Sequence, residues 1–221
     1  MSAGLLAILR KDLRIELRSR EGVTSLLVLG LLVLLVLQFA SPERSSADAA
    51  AAGLWIAFVL AGTVGAQRSF LVERENLCLH GLVTAPVEPS TIYLAKMIGT
   101  ALQLGVLQLF TLPLVAVFFD VTLVASPGPL LLVCALGNVG FSAVATLFAA
   151  IAVRTRAREV MLPLLVLPLV APLLISAVAA SAALLAGQSF AAVSTWIQVL
   201  AGFDVVFAVA GWLLFEHVVR E

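Results

Sequence analysis

Charged side chains are scarce in this chain, and few of them are spaced for chemistry. The two lysines, Lys11 and Lys96, do not follow glycine in a GxxxxGK[ST] loop, the pattern that wraps phosphates in backbone amides. His80 and His217 have no Ser, Asp or Cys at a spacing that would form a catalytic dyad, and no HExxH zinc motif occurs. We therefore expect no enzyme active site and no metal site, and any ATP must be hydrolysed by another chain.

The densest mixture of charge, proline and apolar residues lies between Arg68 and Lys96, which reads RSFLVERENLCLHGLVTAPVEPSTIYLAK. Apolar residues there surround Glu73, Arg74 and Glu75, as in a short helix that docks on a cytoplasmic protein. A solvated hairpin between two spans is the alternative interpretation.

Ionisable residues inside apolar segments mark proton or ion paths, and here Asp204 is the one acidic residue expected well inside a segment. This scarcity favours a complex driven by an ATPase over a proton-coupled transporter. Other internal polar residues either line a seam between helices or, as we favour, form hydrogen-bonded packing. They are Gln103, Gln108, Asn138, Ser142, Thr146 and Ser176. No substrate-binding residue is identified.

The composition identifies the solvent of this chain as the lipid bilayer. Hydrophobic residues make up 62% of the 221 residues, charged residues 12%, and the mean hydropathy is +1.14. Soluble domains are about 45–50% apolar and about 25% charged. The formal net charge of zero argues against a nucleic-acid partner. We therefore expect a single all-α integral membrane domain over residues 1–221.

A basic amphipathic segment begins the chain. Leucines recur at steps of three and four over residues 5–20, with five basic residues between them. The leucine stripe suits the acyl boundary and the basic residues suit anionic head groups, so we expect an interfacial helix. Six continuous apolar runs follow and predict six transmembrane helices. They lie at about 24–40, 50–67, 91–119, 130–153, 160–185 and 195–218.

Two of these runs contain features that a straight span does not require. The third run is too long for one straight crossing, so tilt, an interfacial start or a kink near Pro113 must absorb the excess. The fifth run carries Pro163, Pro168 and Pro172, which remove backbone donors inside lipid. We expect the freed carbonyls to lie against neighbouring helices or a water-filled cavity, and we interpret the three prolines as a candidate hinge.

The distribution of basic residues predicts the orientation. If the N-terminus is cytoplasmic, 12 of the 13 Lys and Arg residues fall on the cytoplasmic side and only Arg44 falls outside. The positive-inside rule then places both termini in the cytoplasm. Residues 68–90 become the longest cytoplasmic connection.

The arrangement of an interfacial basic helix, six spans and a charged loop after the second span resembles the membrane subunits of ABC-2 type transporters. Several short segments resemble the haem exporter protein B family of cytochrome c maturation more closely. They are Lys11-Asp12-Leu13, Arg68-Ser69-Phe70, Glu75-Asn76, Gly81-Leu82, Ala85-Pro86-Val87, Leu94-Ala95-Lys96, Val166-Leu167-Pro168-Leu169 and Pro172-Leu173-Leu174.

The resemblance implies a permease subunit in the bacterial inner membrane, required for c-type cytochrome biogenesis. Its implied partners are a cytoplasmic ABC ATPase, a haem-handling membrane subunit, a small single-span subunit, a periplasmic haem chaperone and, in a homodimer, a second copy. The loop after the second span is expected to contact the ATPase. The candidate coupling residues are Arg68, Phe70, Glu73, Glu75, Asn76 and Leu79.

Haem is implied as cargo rather than as a cofactor of this chain, because Trp55, Trp196 and Trp212 are isolated and no tryptophan-rich external segment occurs. ATP is expected on the partner subunit. The resemblance allows either haem export or ATP-driven release of a haem-loaded chaperone. An ABC-2 permease for a lipid, glycan or drug, and a non-transporting scaffold for the ATPase, are the alternatives.

Overall fold

The structure is a computed structural model, which describes residues 2–19, 21–40, 46–75, 88–121, 127–152 and 158–220. Side chains are described within 4–15, 22–40, 46–67, 88–121, 127–152 and 162–215. These ranges contain helices α1 (Ser2–Ser19), α2 (Glu21–Ala40), α3 (Ala47–Glu75), α4 (Pro89–Phe119), α5 (Pro127–Ala152), α6 (Arg158–Leu185) and α7 (Phe190–Arg220). Helices α2 to α7 are long and apolar enough to cross a membrane, which confirms the predicted all-α integral membrane fold.

Helices α3 and α5 form the centre of the bundle. In each of them 72% of the residues of the apolar window are buried within the chain, whereas α2 and α7 bury only 17%. Helix α5 packs on α4, α6 and α7, and α3 packs on α2, α4 and α6. Buried alanines such as Ala57, Ala61 and Ala145 leave room for this close approach, as is usual where helices pack in lipid. The peripheral helices present most of their apolar surface outward.

Helix α4 explains the excess length of the third apolar run. It is one unbroken helix of 31 residues that includes Pro113. Its length of about 46 Å exceeds the ~30 Å thickness of a hydrocarbon core. Glu88 has an extended backbone and Pro89 begins the helix, because a residue before proline avoids helical angles and proline suits the first helical position. Helix α1 packs on α4, so part of the excess lies beside an interfacial helix.

Helix α6 passes through its three prolines as one continuous helix. Pro163 is half-buried, while Pro168 and Pro172 are exposed on the outside of the chain. The Ser176 hydroxyl donates to the Pro172 carbonyl at 2.8 Å, a bond that tends to bend a helix. The structure thus shows no break in α6, and the hinge stays a prediction about motion.

Candidate coupling site

The segment predicted to contact the ATPase begins as helix rather than as loop. Helix α3 continues past its apolar part, which ends at Gln67, and reaches Glu75. Arg68, Phe70, Glu73 and Glu75 therefore lie on the last turns of α3, although their side chains are not among those described. The change to charged residues at 68 marks the end of the apolar span. It does not end the helix, because residues 68–75 contain no glycine or proline and are mostly helix formers.

The remaining candidates lie outside the described residues. Asn76 and Leu79 fall in the range 76–87, between α3 and α4. At the other side of this range, Pro89 and Ser90 already belong to α4. Helix thus extends into both ends of the predicted coupling segment 68–90.

Helix α1 presents two different faces. Ile8 is buried against the bundle and Asp12 points the same way, toward α4. Leu6, Arg10 and Arg14 follow one another at steps of four residues, so they lie along one face, and all three are exposed. This mixed face suits the boundary between acyl chains and head groups. The alternation of leucine and basic residues in the sequence did not predict the face that docks on protein.

An ion pair joins α1 to α4. The Nζ atom of Lys96 lies 2.8 Å from Oδ2 of Asp12, and Lys11 Nζ lies 3.2 Å from Oδ1 of the same carboxylate. Lys96 is 2% exposed, so its ammonium group is removed from water and its neutralisation by Asp12 matters. Removing one partner of a buried pair typically costs about 3–5 kcal/mol, because an uncompensated charge remains. Neither the charge of Lys96 nor its place in the segment Leu94-Ala95-Lys96 predicted this pair.

The same end of α4 is held by an aromatic contact. The Tyr93 hydroxyl donates to the Ala143 carbonyl of α5 at 3.1 Å, and the Tyr93 ring lies 5.5 Å from the ring of Phe215 in α7. Gly211 leaves room for the Tyr93 ring, since a Cβ at this glycine would collide with the phenol. The first turns of α4 are thus attached to α1, α5 and α7 together.

Hydrogen bonds between polar side chains and neighbouring helices cross the middle of the bundle. Asn138 Nδ2 donates to the Ala101 carbonyl at 2.9 Å, and the Ser142 hydroxyl donates to Asn138 Oδ1 at 3.2 Å. Trp55 Nε1 donates to the Ser181 hydroxyl at 2.9 Å, which joins α3 to α6. These bonds agree with hydrogen-bonded packing as the role of Asn138 and Ser142. They also give Trp55 a structural partner that the sequence did not reveal.

Asp204 lies in the middle of α7 and is buried at 7% exposure. Its carboxylate packs against Gly140 of α5, where a Cβ would collide with Oδ1. Within the described part of the chain, Oδ1 of Asp204 has no hydrogen-bond partner. Gln108 Nε2 and the Thr100 and Thr146 hydroxyl oxygens also lack one. The middle of the bundle therefore contains several polar atoms that the described side chains do not satisfy.

Comparison with known proteins identifies the family. The family model described as CcmB protein matches residues 3–221. This chain belongs to the CcmB protein family. It is 30% identical to heme exporter protein B of Rhodobacter capsulatus, over 76% of this chain and 78% of that protein. It is 28% identical to heme exporter protein B of Bradyrhizobium diazoefficiens, over 85% of this chain and 86% of that protein. The family expected from the short segments is confirmed, and the chain is a multi-pass bacterial membrane protein.

Proposed function

We propose that this chain is the permease subunit of an ABC transporter complex that exports haem for c-type cytochrome assembly. The observation that carries the proposal is the match of the CcmB family over residues 3–221. Two relatives named heme exporter protein B align over most of their lengths. The fold supports a permease because six of the seven described helices can cross a membrane. Haem is the cargo, and this chain supplies helices that move.

ATP is hydrolysed on a cytoplasmic ABC ATPase that docks on residues 68–90. Helix α3 supports this route, because one unbroken helix joins Arg68–Glu75 to the buried centre around Trp55. The bond between Trp55 and Ser181 then connects α3 to α6. Closure of the ATPase dimer pushes on this segment and tilts α3 and α4 against α6. Pro163, Pro168 and Pro172 are the places where α6 bends in response.

The complex lies in the bacterial inner membrane, with both termini of this chain in the cytoplasm. The basic residues of the sequence support this orientation through the positive-inside rule. The exposed Arg10 and Arg14 of α1 support it as well, because they suit the anionic cytoplasmic surface. A haem-handling membrane subunit, a small single-span subunit and a periplasmic haem chaperone complete the complex.

The cargo step is tested in inverted membrane vesicles that contain the whole complex and are supplied with haem and ATP. Haem that accumulates inside the vesicles only with ATP supports export. Two results together would support chaperone release instead of export. No haem would accumulate when this chain is present, and ATP-dependent release of the chaperone would be lost when this chain is absent. A permease for another cargo predicts neither result.

The coupling step is tested by capturing the ATPase on tagged Glu73→Ala/Glu75→Ala permease. We expect at least fivefold weaker capture or a comparable loss of cytochrome yield, with normal membrane insertion. Asp48→Ala is the matched control, because Asp48 is an exposed acidic residue at the opposite end of the same helix. Unchanged capture together with unchanged cytochrome yield in the double variant would refute the coupling role.

A further inference from the structure

The interfacial helix α1 is attached to a helix that is distant in sequence. It packs mainly on α4 and has few contacts with α2, which follows it directly in the chain. Leu9 Cδ1 lies 3.9 Å from the position that a Cβ on Gly99 would occupy. The Asp12–Lys96 pair lies close by, at 2.8 Å. Helix α1 and the first turns of α4 therefore form one packed unit.

Helix α4 needs something to set its depth in the membrane. Its length of about 46 Å is well above the ~30 Å of a hydrocarbon core, so the helix alone matches several depths. Helix α1 has a defined depth, because its exposed Leu6 belongs in the acyl region while Arg10 and Arg14 belong at the head groups. A firm attachment between the two helices therefore sets the depth of α4 in the membrane as well.

We propose that Asp12 and Lys96 are positioning residues that lock α4 to α1, so that a push from the ATPase tilts α4 instead of sliding it along its axis. The proposal rests on the proposed function for the source of the push. Helix α4 begins at Pro89, at the end of the coupling segment, and Lys96 lies two turns further along. The lock thus acts between the point where force enters and the buried centre of the bundle.

An ion pair suits this role better than apolar contact alone. Apolar side chains slide past one another at small cost, since the hydrophobic effect has no direction. Displacement along α4 would separate Lys96 from Asp12 and leave charge in an environment where it is poorly solvated. Lys96 is 2% exposed and the Asp12 side chain 19%, so little water reaches the pair. The pair therefore resists displacement along the axis of α4.

The test separates positioning from stability. In Asp12→Leu/Lys96→Met both charges of the pair are replaced by apolar groups, so no buried charge is left unpaired, and Lys11, which loses its contact with Asp12, is 36% exposed. We expect normal protein level and ATPase capture, with at least fivefold lower cytochrome yield. Arg14→Ala is the control, since Arg14 is an exposed charge of α1, and it should leave yield unchanged. Full yield in the double variant would overturn the proposal.

A covalent lock provides the complementary arm. Leu9→Cys and Gly99→Cys are introduced in a background with Cys78→Ser and Cys134→Ala, and the two thiols are joined by a short cross-linker. We expect the cross-link to leave the otherwise wild-type protein active and to restore at least half of the yield in Asp12→Leu/Lys96→Met. Loss of activity on cross-linking would show that α1 and α4 must move apart, and the proposal would fail.

A measurement that does not depend on the cargo separates the positioning role of Asp12 and Lys96 from the proposed export of haem. Ser90→Cys, near the start of α4, is labelled with a water-soluble maleimide in membranes. We expect its labelling rate to change at least threefold in Asp12→Leu/Lys96→Met and to return after the Leu9–Gly99 cross-link. An unchanged rate contradicts the positioning role even if cytochrome assembly depends on this chain. A changed rate supports it even if the cargo is not haem.

Discussion

The N-terminal end of α4 and the middle of the bundle both bury an ionisable side chain, but the two side chains have different surroundings. Lys96 lies 2.8 Å from Asp12, whose carboxylate also contacts Lys11. The buried Asp204 packs against the backbone of Gly140, and its Oδ1 has no hydrogen-bond partner among the described residues. An ion pair holds helices together at the N-terminal end of α4, whereas close packing and neutral hydrogen bonds hold them in the middle.

The difference follows from the cost of charge at each depth. Near the interface, a lysine stem can remain buried while water and head groups remain close to its charged end. At the bilayer centre a charged side chain costs several kcal/mol, and by the insertion scale about 2.5–3.5 kcal/mol for Asp. Neutral bonds such as that from Trp55 to Ser181 avoid this cost. The two regions therefore respond in opposite directions when a charge is removed.

Lys96→Met breaks the contact between α1 and α4 and should have the largest effect. It removes the shorter of the two contacts of the Asp12 carboxylate and leaves the one with Lys11, so we expect a loss of about 1.5–3 kcal/mol in stability, the range for a hydrogen bond to a charged group. The loss is measured as a lower temperature of unfolding of the purified protein in detergent. Restoration of most of this loss by adding Asp12→Leu is expected, and a double variant as unstable as the single one would contradict the ion-pair account.

Gly137→Ala disturbs the close packing in the middle of the bundle. A Cβ at this position would collide with the Trp55 ring, which cannot turn aside without losing its bond to Ser181. We expect a loss of about 1–3 kcal/mol, in the range of overpacked cores. Gly202→Ala is the control, because nothing lies within 4 Å of the position of its Cβ. Equal unfolding temperatures for the two variants would mean that the centre is looser than its geometry indicates.

Ser181→Ala removes one neutral bond from the same region. The Trp55 indole N–H loses its acceptor inside the bundle, and we expect a loss of about 0.6–2 kcal/mol, the range for bonds between helices in membranes. Ser194→Ala is the matched control, since Ser194 is more exposed and bonds only within its own helix. If Ser194→Ala lowered the stability as much as Ser181→Ala, the bond between α3 and α6 would not explain the loss.

Asp204→Asn should have the smallest effect and the opposite sign to Lys96→Met. The amide removes a carboxylate with an unsatisfied oxygen from the centre of α7, so stability should stay level or rise by up to about 1 kcal/mol. The unfolding temperature is compared with that of wild-type protein at the same pH. A clear fall would show that Asp204 has a partner, and the contrast between the two regions would disappear.

The sequence was sufficient for the number and type of elements and insufficient for their contacts. Apolar runs of this length predict helices, because a helix satisfies its backbone hydrogen bonds within the segment that crosses the bilayer. Helices α2 to α7 could therefore be predicted. The ends were less certain, because the polarity change at Arg68 marks the membrane boundary while α3 continues to Glu75. Helix propensity and hydropathy are different signals, and the predicted end of the second span at residue 67 used only the second.

Contacts between distant residues could not be derived from periodicity. The resemblance drew attention to Lys11-Asp12-Leu13 and to Leu94-Ala95-Lys96 as separate segments, and the structure joins them through one ion pair. Nothing in either segment alone indicates that Asp12 points toward α4 and not toward head groups. The bond from Trp55 to Ser181 spans 126 positions of sequence and was equally hidden.

The central claim is that this chain is the permease that couples an ATPase to c-type cytochrome assembly. The most direct measurement is a haem stain for covalent c-type cytochromes in a strain deleted for this chain and complemented in turn with wild type, Glu73→Ala/Glu75→Ala and Asp48→Ala. We expect loss of the stain in the deletion, rescue by wild type and Asp48→Ala, and poor rescue by the double variant. Normal cytochromes in the deletion strain would contradict the proposed function.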